Sequence, residues 1–137
     1  MILVDSNILI DAIEPDAEAH AWSTVQLSKA IFGGAAFINP IVVGEISPRF
    51  SAFADLVGVL ETFAIPVRDI TLEVSWRAGR AHLEWIRNGG RRGSLLPDLL
   101  IGAHAAVEGA QVLTRDPRRF RTYFPELDLI LPEPTND

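Results

Sequence analysis

The chain alternates short apolar runs with helix-length segments, and a turn or capping signal stands at almost every junction. Ile2 to Val4 reads as a buried strand, with Ser6-Asn7 as a turn or cap before the helix-prone ILIDAI. Residues 18–32 place Ala21, Val25, Leu27, Ile31 and Phe32 at helical spacing, and Gly33-Gly34 gives the stop. Ala35 to Ile38 is the second strand, and Asn39-Pro40 is a helix start that runs until Pro48. A helix from Phe53 to Phe63 leads into a short third strand, Ile65-Pro66-Val67. Thr71 caps a helix over Leu72 to Ile86 that ends at Asn88-Gly89-Gly90. Pro97-Asp98 then opens the most apolar helix, closed by Gly109. Strands over Gln111 to Leu113 and Leu127 to Leu131 complete the set. Strands that alternate with helices need crossover connections. The expected architecture is therefore α/β, in three layers, with a central and mainly parallel sheet of four to five strands and helices on both faces.

With 137 residues, 48% of them hydrophobic and 22% charged, the chain can bury one real core. A single domain over residues 1–131 is expected, with 132–137 as a disordered tail. The absence of cysteine excludes disulfides, thiolate metal sites and a cysteine nucleophile. No run approaches the roughly 18 apolar residues of a membrane span, and Asp5 and Asp11 interrupt the apolar N-terminus without a basic stretch before it. A soluble, cytoplasmic protein with no membrane partner is the expectation.

Acids stand where strands end or helices begin: Asp5 in MILVDSN, Glu45 in NPIVVGEIS, Asp98 in LLPDLLIGAHAA and Asp116 in VLTRDPRRF. In an open α/β sheet, ligands bind outside the carboxyl ends of the strands, so these segments can converge on one edge. A carboxylate cluster drawn from distant segments makes an oxygen-rich site for a hard divalent ion such as Mg²⁺ or Mn²⁺. Each acid also has a structural reading. Asp5 can serve a strand-to-helix turn, Asp98 can complement its helix dipole, Asp116 before Pro117 can cap a helix, and Glu45 can be an ordinary exposed helix residue.

A net charge of −6 argues against a polyanionic partner, but its distribution points the other way. Of 12 basic residues all but Lys29 are arginine, and most of them gather in two clusters, Arg87, Arg91 and Arg92 before Asp98 and Arg115, Arg118, Arg119 and Arg121 around Asp116. Solvated helix faces are the plain alternative for any one of them. His20, His82 and His104 are too scattered for a metal motif, and Trp22, Trp76 and Trp85 read as core or interface. The single lysine lies in no phosphate-binding loop, which excludes P-loop nucleotide chemistry.

The order and wording of VDSNILID, NPIVVGEIS, LLPDLLIGAHAA and VLTRDPRRFRTYFP resemble the PIN-domain ribonucleases, and within them the VapC-type toxins of toxin–antitoxin pairs. The resemblance spans nearly the whole chain. It implies a PIN-like fold, with Asp5, Glu45, Asp98 and Asp116 as the catalytic metal-binding acids. Ser6, Asn7 and Thr114 match the polar positions that line or support them, and Pro117 and Arg119 depart from residues that relatives can carry. The implied activity is Mg²⁺- or Mn²⁺-dependent endoribonuclease action on tRNA or rRNA, silenced by a VapB-type antitoxin, with a homodimer as the usual assembly. Arg91, Arg92, Arg115 and Arg118 are candidates for holding the RNA backbone. Two other readings stay open: a PIN-like module that only binds RNA or protein, and a metal-dependent phosphatase or nuclease acting on another substrate.

Overall fold

Ile2–Val4 form strand β1, and its place in the middle of the sheet organises everything else. Parallel neighbours flank it, β2 (Ala36–Phe37) on one side and β3 (Gln111–Leu113) on the other, and β4 (Leu129–Ile130) pairs in parallel with β3. The order is β2-β1-β3-β4, with Leu3 opposite both Phe37 and Val112. Leu3, Val4, Val112 and Leu113 are fully buried, as continuous apolar strands covered on both faces must be. The computed structural model describes residues 1–91, 93 and 96–132, so Arg92 and the expected tail beyond Pro132 lie outside the described residues.

Helices α1 (Ser6–Ile13) and α2 (His20–Phe32) connect β1 to β2. Next come α3 (Pro40–Ile46), a 3-10 turn at Ser47–Arg49, α4 (Phe53–Phe63), α5 (Leu72–Arg87) and α6 (Pro97–Glu108). A last helix, α7 (Arg118–Tyr123), lies between β3 and β4. The caps follow from side-chain chemistry. Asn39 Oδ1 accepts from the Val42 amide at 3.0 Å, Thr71 Oγ1 accepts from the Val74 amide at 3.2 Å, and Gly109 ends α6 at φ 65°. Among the described residues no helix is long and apolar enough to cross a membrane.

Two adjoining apolar cores hold the elements in place. The larger surrounds the sheet and includes Ile8, Leu9, Phe37, Ile46, Ile101 and Phe120. The smaller joins α5 to α6 and α7 through Val74, Ala78, Ala81, Leu99, Ala103 and Phe124. Gly102 lets α6 approach α7: a Cβ there would lie 2.4 Å from two ring atoms of Phe124, which is itself 1% exposed. Gly102→Ala is therefore expected to cost about 1–3 kcal/mol through overpacking, and urea unfolding checks it. An unchanged midpoint would mean that the ring gives way freely and that α7 is loosely seated.

The structure corrects several expectations. Ile65 to Val67 is not a fifth strand: Val67 makes only an isolated parallel bridge to Ile38. Pro66 has no N–H to extend a ladder, so pairing stops after the Pro66 carbonyl accepts from Ile38 and Arg68 donates to the Ile38 carbonyl. On α2 the buried stripe is Ser23, Leu27 and Ala30, whereas Val25 and Phe32 face solvent. Trp76 is 65% exposed, with the Arg80 guanidinium over its ring, rather than in the core. The last strand shortens to Leu129–Ile130. The sequence reading did not place α7, because RRFRTY shows only Phe120 and Tyr123 as an apolar pair at helical spacing.

Candidate active site

The order β2-β1-β3 creates a switch point, since the chain leaves central β1 to build one side of the sheet and returns to build the other. A crevice outside the carboxyl ends of β1 and β3 follows from that reversal. Asp5 directly follows β1, and Thr114 directly follows β3. The two meet there: Thr114 Oγ1 donates to Asp5 Oδ2 at 2.7 Å, across 109 residues of sequence.

Asp5 is 4% exposed and is held from several directions. Its Oδ1 accepts from the Ser6 amide at 2.8 Å, which caps the start of α1, and Asn7 Nδ2 lies 3.3 Å from Oδ2. Ser6 Oγ reaches across to Glu45 Oε1 at 3.1 Å, so one hydroxyl links the start of α1 to the second turn of α3. Asn7 then ties the β3 end into the same network. Its Nδ2 donates to Thr114 Oγ1 at 3.4 Å, and its Oδ1 accepts from the Arg115 amide at 3.3 Å. The Asp116 amide donates to Thr114 Oγ1 at 3.1 Å. Ser6, Asn7 and Thr114 are thus hydrogen-bonded into one network with Asp5, and Ser6 with Glu45.

Electrostatics identify which acids share a field. Burial pushes the Asp5 carboxyl above the ordinary carboxylate range, and the nearby Asp98 charge adds to the rise while hydrogen bonds from Thr114 and Ser6 oppose it. Glu45, half-buried on α3, is likewise raised, first by burial and then by Asp5 and Asp98, against the hydrogen bond from Ser6. Each of these two is thus raised in part by the negative charge of its acidic neighbours. Asp116 is different. Its side chain is 54% exposed, and the hydrogen bond from Arg118 holds its carboxyl below the usual range.

Arginines occupy the two outer acids. Arg119 NH1 stands 2.9 Å from Asp98 Oδ2, and Arg118 contacts Asp116 through Nε at 3.2 Å and NH2 at 3.5 Å. Among the described residues no three acidic or histidine side chains stand close enough together to hold one metal ion. The donor chemistry nonetheless suits one: carboxylates with hydroxyl and amide neighbours are an all-oxygen set for a hard cation, and the mutual repulsion of Asp5, Glu45 and Asp98 is what a cation relieves. Arg119 would have to release Asp98 Oδ2 before that oxygen could join such a set.

The arginines divide in a way the sequence did not reveal. Arg115 gives its guanidinium to Asp11, with Nε at 2.5 Å and NH2 at 3.0 Å from the two carboxylate oxygens, and Ser23 Oγ completes the group at 2.6 Å. That fork on a 4%-exposed carboxylate is a structural ion pair rather than a free grip on RNA. Arg118 remains at the site, 87% exposed in its side chain, and Arg91 is exposed on the stretch between α5 and α6. Sequence reasoning missed Arg119 as a site residue, although it stands in the arginine cluster around Asp116. It also missed the support beneath Glu45. Asn39, the cap of α3, donates through Nδ2 to buried His104 Nδ1 at 3.1 Å, which sets that nitrogen as the acceptor, and burial lowers the His104 pKa in favour of the neutral ring. His104 is thus structural.

Comparison with known proteins identifies the family and the fold. The PIN-domain family model matches residues 2–125, so the chain belongs to the PIN-domain family. Solved structures of similar fold include VapBC2 from Rickettsia felis bound to a promoter DNA fragment, at 23% identity and a TM-score of 0.67, covering 97% of this chain and 100% of that one. The DNA-bound VapBC of Salmonella typhimurium aligns at 22% identity and a TM-score of 0.70, over 95% and 96% of the two chains. VapC20 of Mycobacterium tuberculosis, described as a toxin that cleaves the sarcin-ricin loop, aligns at 17% identity and a TM-score of 0.60, over 93% and 99%. No curated protein sequence matches the chain.

Proposed function

We propose that this protein is a VapC-type toxin of a type II toxin–antitoxin pair, an endoribonuclease that depends on Mg²⁺ or Mn²⁺. The observation that carries the reading is the set of three mutually repelling carboxylates, Asp5, Glu45 and Asp98, at the switch point of a PIN fold. A divalent ion bound there supplies Lewis-acid stabilisation of the phosphoryl oxygens and activation of the attacking water. The chain's own part is to hold the acids. Thr114, Ser6 and Asn7 fix Asp5, and Ser6 orients Glu45. Arg118, on the rim beside Asp116, is suited to a phosphate of the RNA backbone. In-line attack by water leaves 5′-phosphate and 3′-hydroxyl ends.

The partner in this reading is a VapB-type antitoxin, as in the complexes of similar fold. The α4 surface, with Phe53 79% exposed and only Leu56 buried along the helix, offers apolar area for it or for a homodimer. A second reading draws on the arginine contacts to Asp98 and Asp116, which suit a module that binds RNA or protein without cutting.

Incubation of the protein with tRNA, rRNA and DNA in Mg²⁺, Mn²⁺ or EDTA separates these readings. Cleavage of RNA that EDTA abolishes is expected, with 5′-phosphate ends and with divalent ions raising the melting temperature in the absence of RNA. Cyclic phosphate ends would overturn the mechanism, cleavage of DNA alone would move the substrate, and no cleavage with or without metal would favour the binding module.

A further inference from the structure

We propose that Arg119 is an exchangeable counter-ion for Asp98, so that the protein carries its own competitor for the divalent ion and releases it when the ion binds. The inference rests on the metal-dependent reading above and concerns what controls occupancy of that site. Two arginine–aspartate contacts in this protein differ in the properties that decide whether a pair is permanent. Arg115 grips Asp11 through both carboxylate oxygens, with the Asp11 side chain 5% exposed. Arg119 touches Asp98 through a single oxygen at 2.9 Å, with side chains 50% and 31% exposed. The first is a desolvated fork. The second is a single, half-solvated contact of the kind that contributes little and exchanges readily.

Position gives the weak contact its significance. Asp98 lies in the first turn of α6 and Arg119 in the first turn of α7, and the packing of Phe124 against Gly102 holds these helices together. The guanidinium is therefore presented to the acid by helices packed against each other, while both side chains stay partly exposed to solvent. Arg118 contacts Asp116 through both carboxylate oxygens, at 3.2 and 3.5 Å, with side chains 87% and 54% exposed. Asp5 and Glu45, by contrast, accept from hydroxyl and amide groups and from no arginine among the described residues. The site thus has an inner pair of acids without a cation and an outer pair held by arginine. An ion drawn by the inner pair that takes Asp98 through Oδ2, or through both of its oxygens, does so by displacing Arg119.

Titration calorimetry with Mn²⁺ on the whole chain tests this, with Arg119→Gln compared against wild type and against Arg121→Gln. Arg121 lies on the same helix, is exposed and has no acidic partner among the described residues, so its loss removes the same charge without removing a competitor. Arg119→Gln should bind Mn²⁺ two- to five-fold more tightly, the span that a pair worth up to about 1 kcal/mol gives at 1.4 kcal/mol per tenfold. Arg121→Gln should stay close to wild type. In wild-type protein the Arg119 side-chain Nε–H signal should shift as Mg²⁺ is added. Equal affinity in wild type and Arg119→Gln, equal tightening in both variants, or an Arg119 signal that stays still while Mg²⁺ binds, would overturn the exchange and leave the metal site standing. Absence of Mn²⁺ binding in all three proteins would overturn the metal reading itself, and the exchange with it.

Discussion

Asp5→Asn is expected to lower metal-dependent RNA cleavage on the order of 10³-fold while leaving the protein folded. Lewis-acid stabilisation by a bound ion is worth several kcal/mol, and each 1.36 kcal/mol is tenfold in rate, which sets the scale. The fold should survive because opposing terms nearly cancel. Asparagine keeps an oxygen to accept the Ser6 amide now bonded at 2.8 Å, and it removes a buried charge that Asp98 and Glu45 repel. Against that, the new amide faces the Asn7 Nδ2 donor now 3.3 Å away, and the Thr114 hydroxyl must rotate from donating to accepting. A net change within about 1 kcal/mol follows from hydrogen-bond energies of that size. Single-turnover cleavage of end-labelled RNA, with thermal melts of the same samples, gives both quantities. A folded variant with near wild-type activity would remove Asp5 from the metal site. A loss of several kcal/mol in stability would make it a structural keystone instead.

The second large effect is expected away from the chemistry. Arg115→Met leaves the Asp11 carboxylate buried with only Ser23 as a partner, and breaking a buried pair from one side costs about 3 kcal/mol. For a domain of this size that corresponds to a fall of roughly 12 °C in melting temperature. Activity per folded molecule should hold, since the guanidinium is committed to Asp11. The double variant Asp11→Leu with Arg115→Met should recover most of the stability, because an apolar pair carries no desolvation penalty. Thermal melts alongside RNA-binding titrations test both statements. Unaltered stability with weakened RNA binding would return Arg115 to the role that sequence position alone suggested.

These two residues show where sequence reasoning reaches and where it stops. Asp5, Asp98 and Asp116 stood out as candidates because strand ends, caps and prolines are local signals, and the rule about carboxyl ends of parallel strands turns local positions into a shared edge, whereas Glu45 carries no such local signal and entered through the family resemblance. The parallel sheet was legible for the same reason, whereas Ser6, Asn7 and Thr114 were assigned to the site only through the family resemblance. What was not legible depended on which side chains meet. Nothing near Arg115 in sequence indicates that Asp11, 104 residues away, will take its guanidinium. Arg119 reached Asp98 only because α7 formed, and a helix of this length with two apolar anchors is nearly silent in sequence. The failed third strand was in principle readable, since Pro66 forbids a continuous ladder. The exposure of Phe32 and Trp76 was not, because spacing identifies an apolar stripe without saying which part of it the tertiary structure will cover.

Central β1 also has a consequence for how the protein comes into being. Translation delivers β1 first, and β2 can pair with it early, but the opposite edge of β1 waits for Gln111–Leu113. Until that stretch has left the ribosome, Asp5 lacks the Thr114 hydroxyl, and neither Asp116 nor the α7 arginines exist. A nascent chain therefore cannot assemble this network piecemeal: a segment made early and one made more than a hundred residues later close it together, in a single late step.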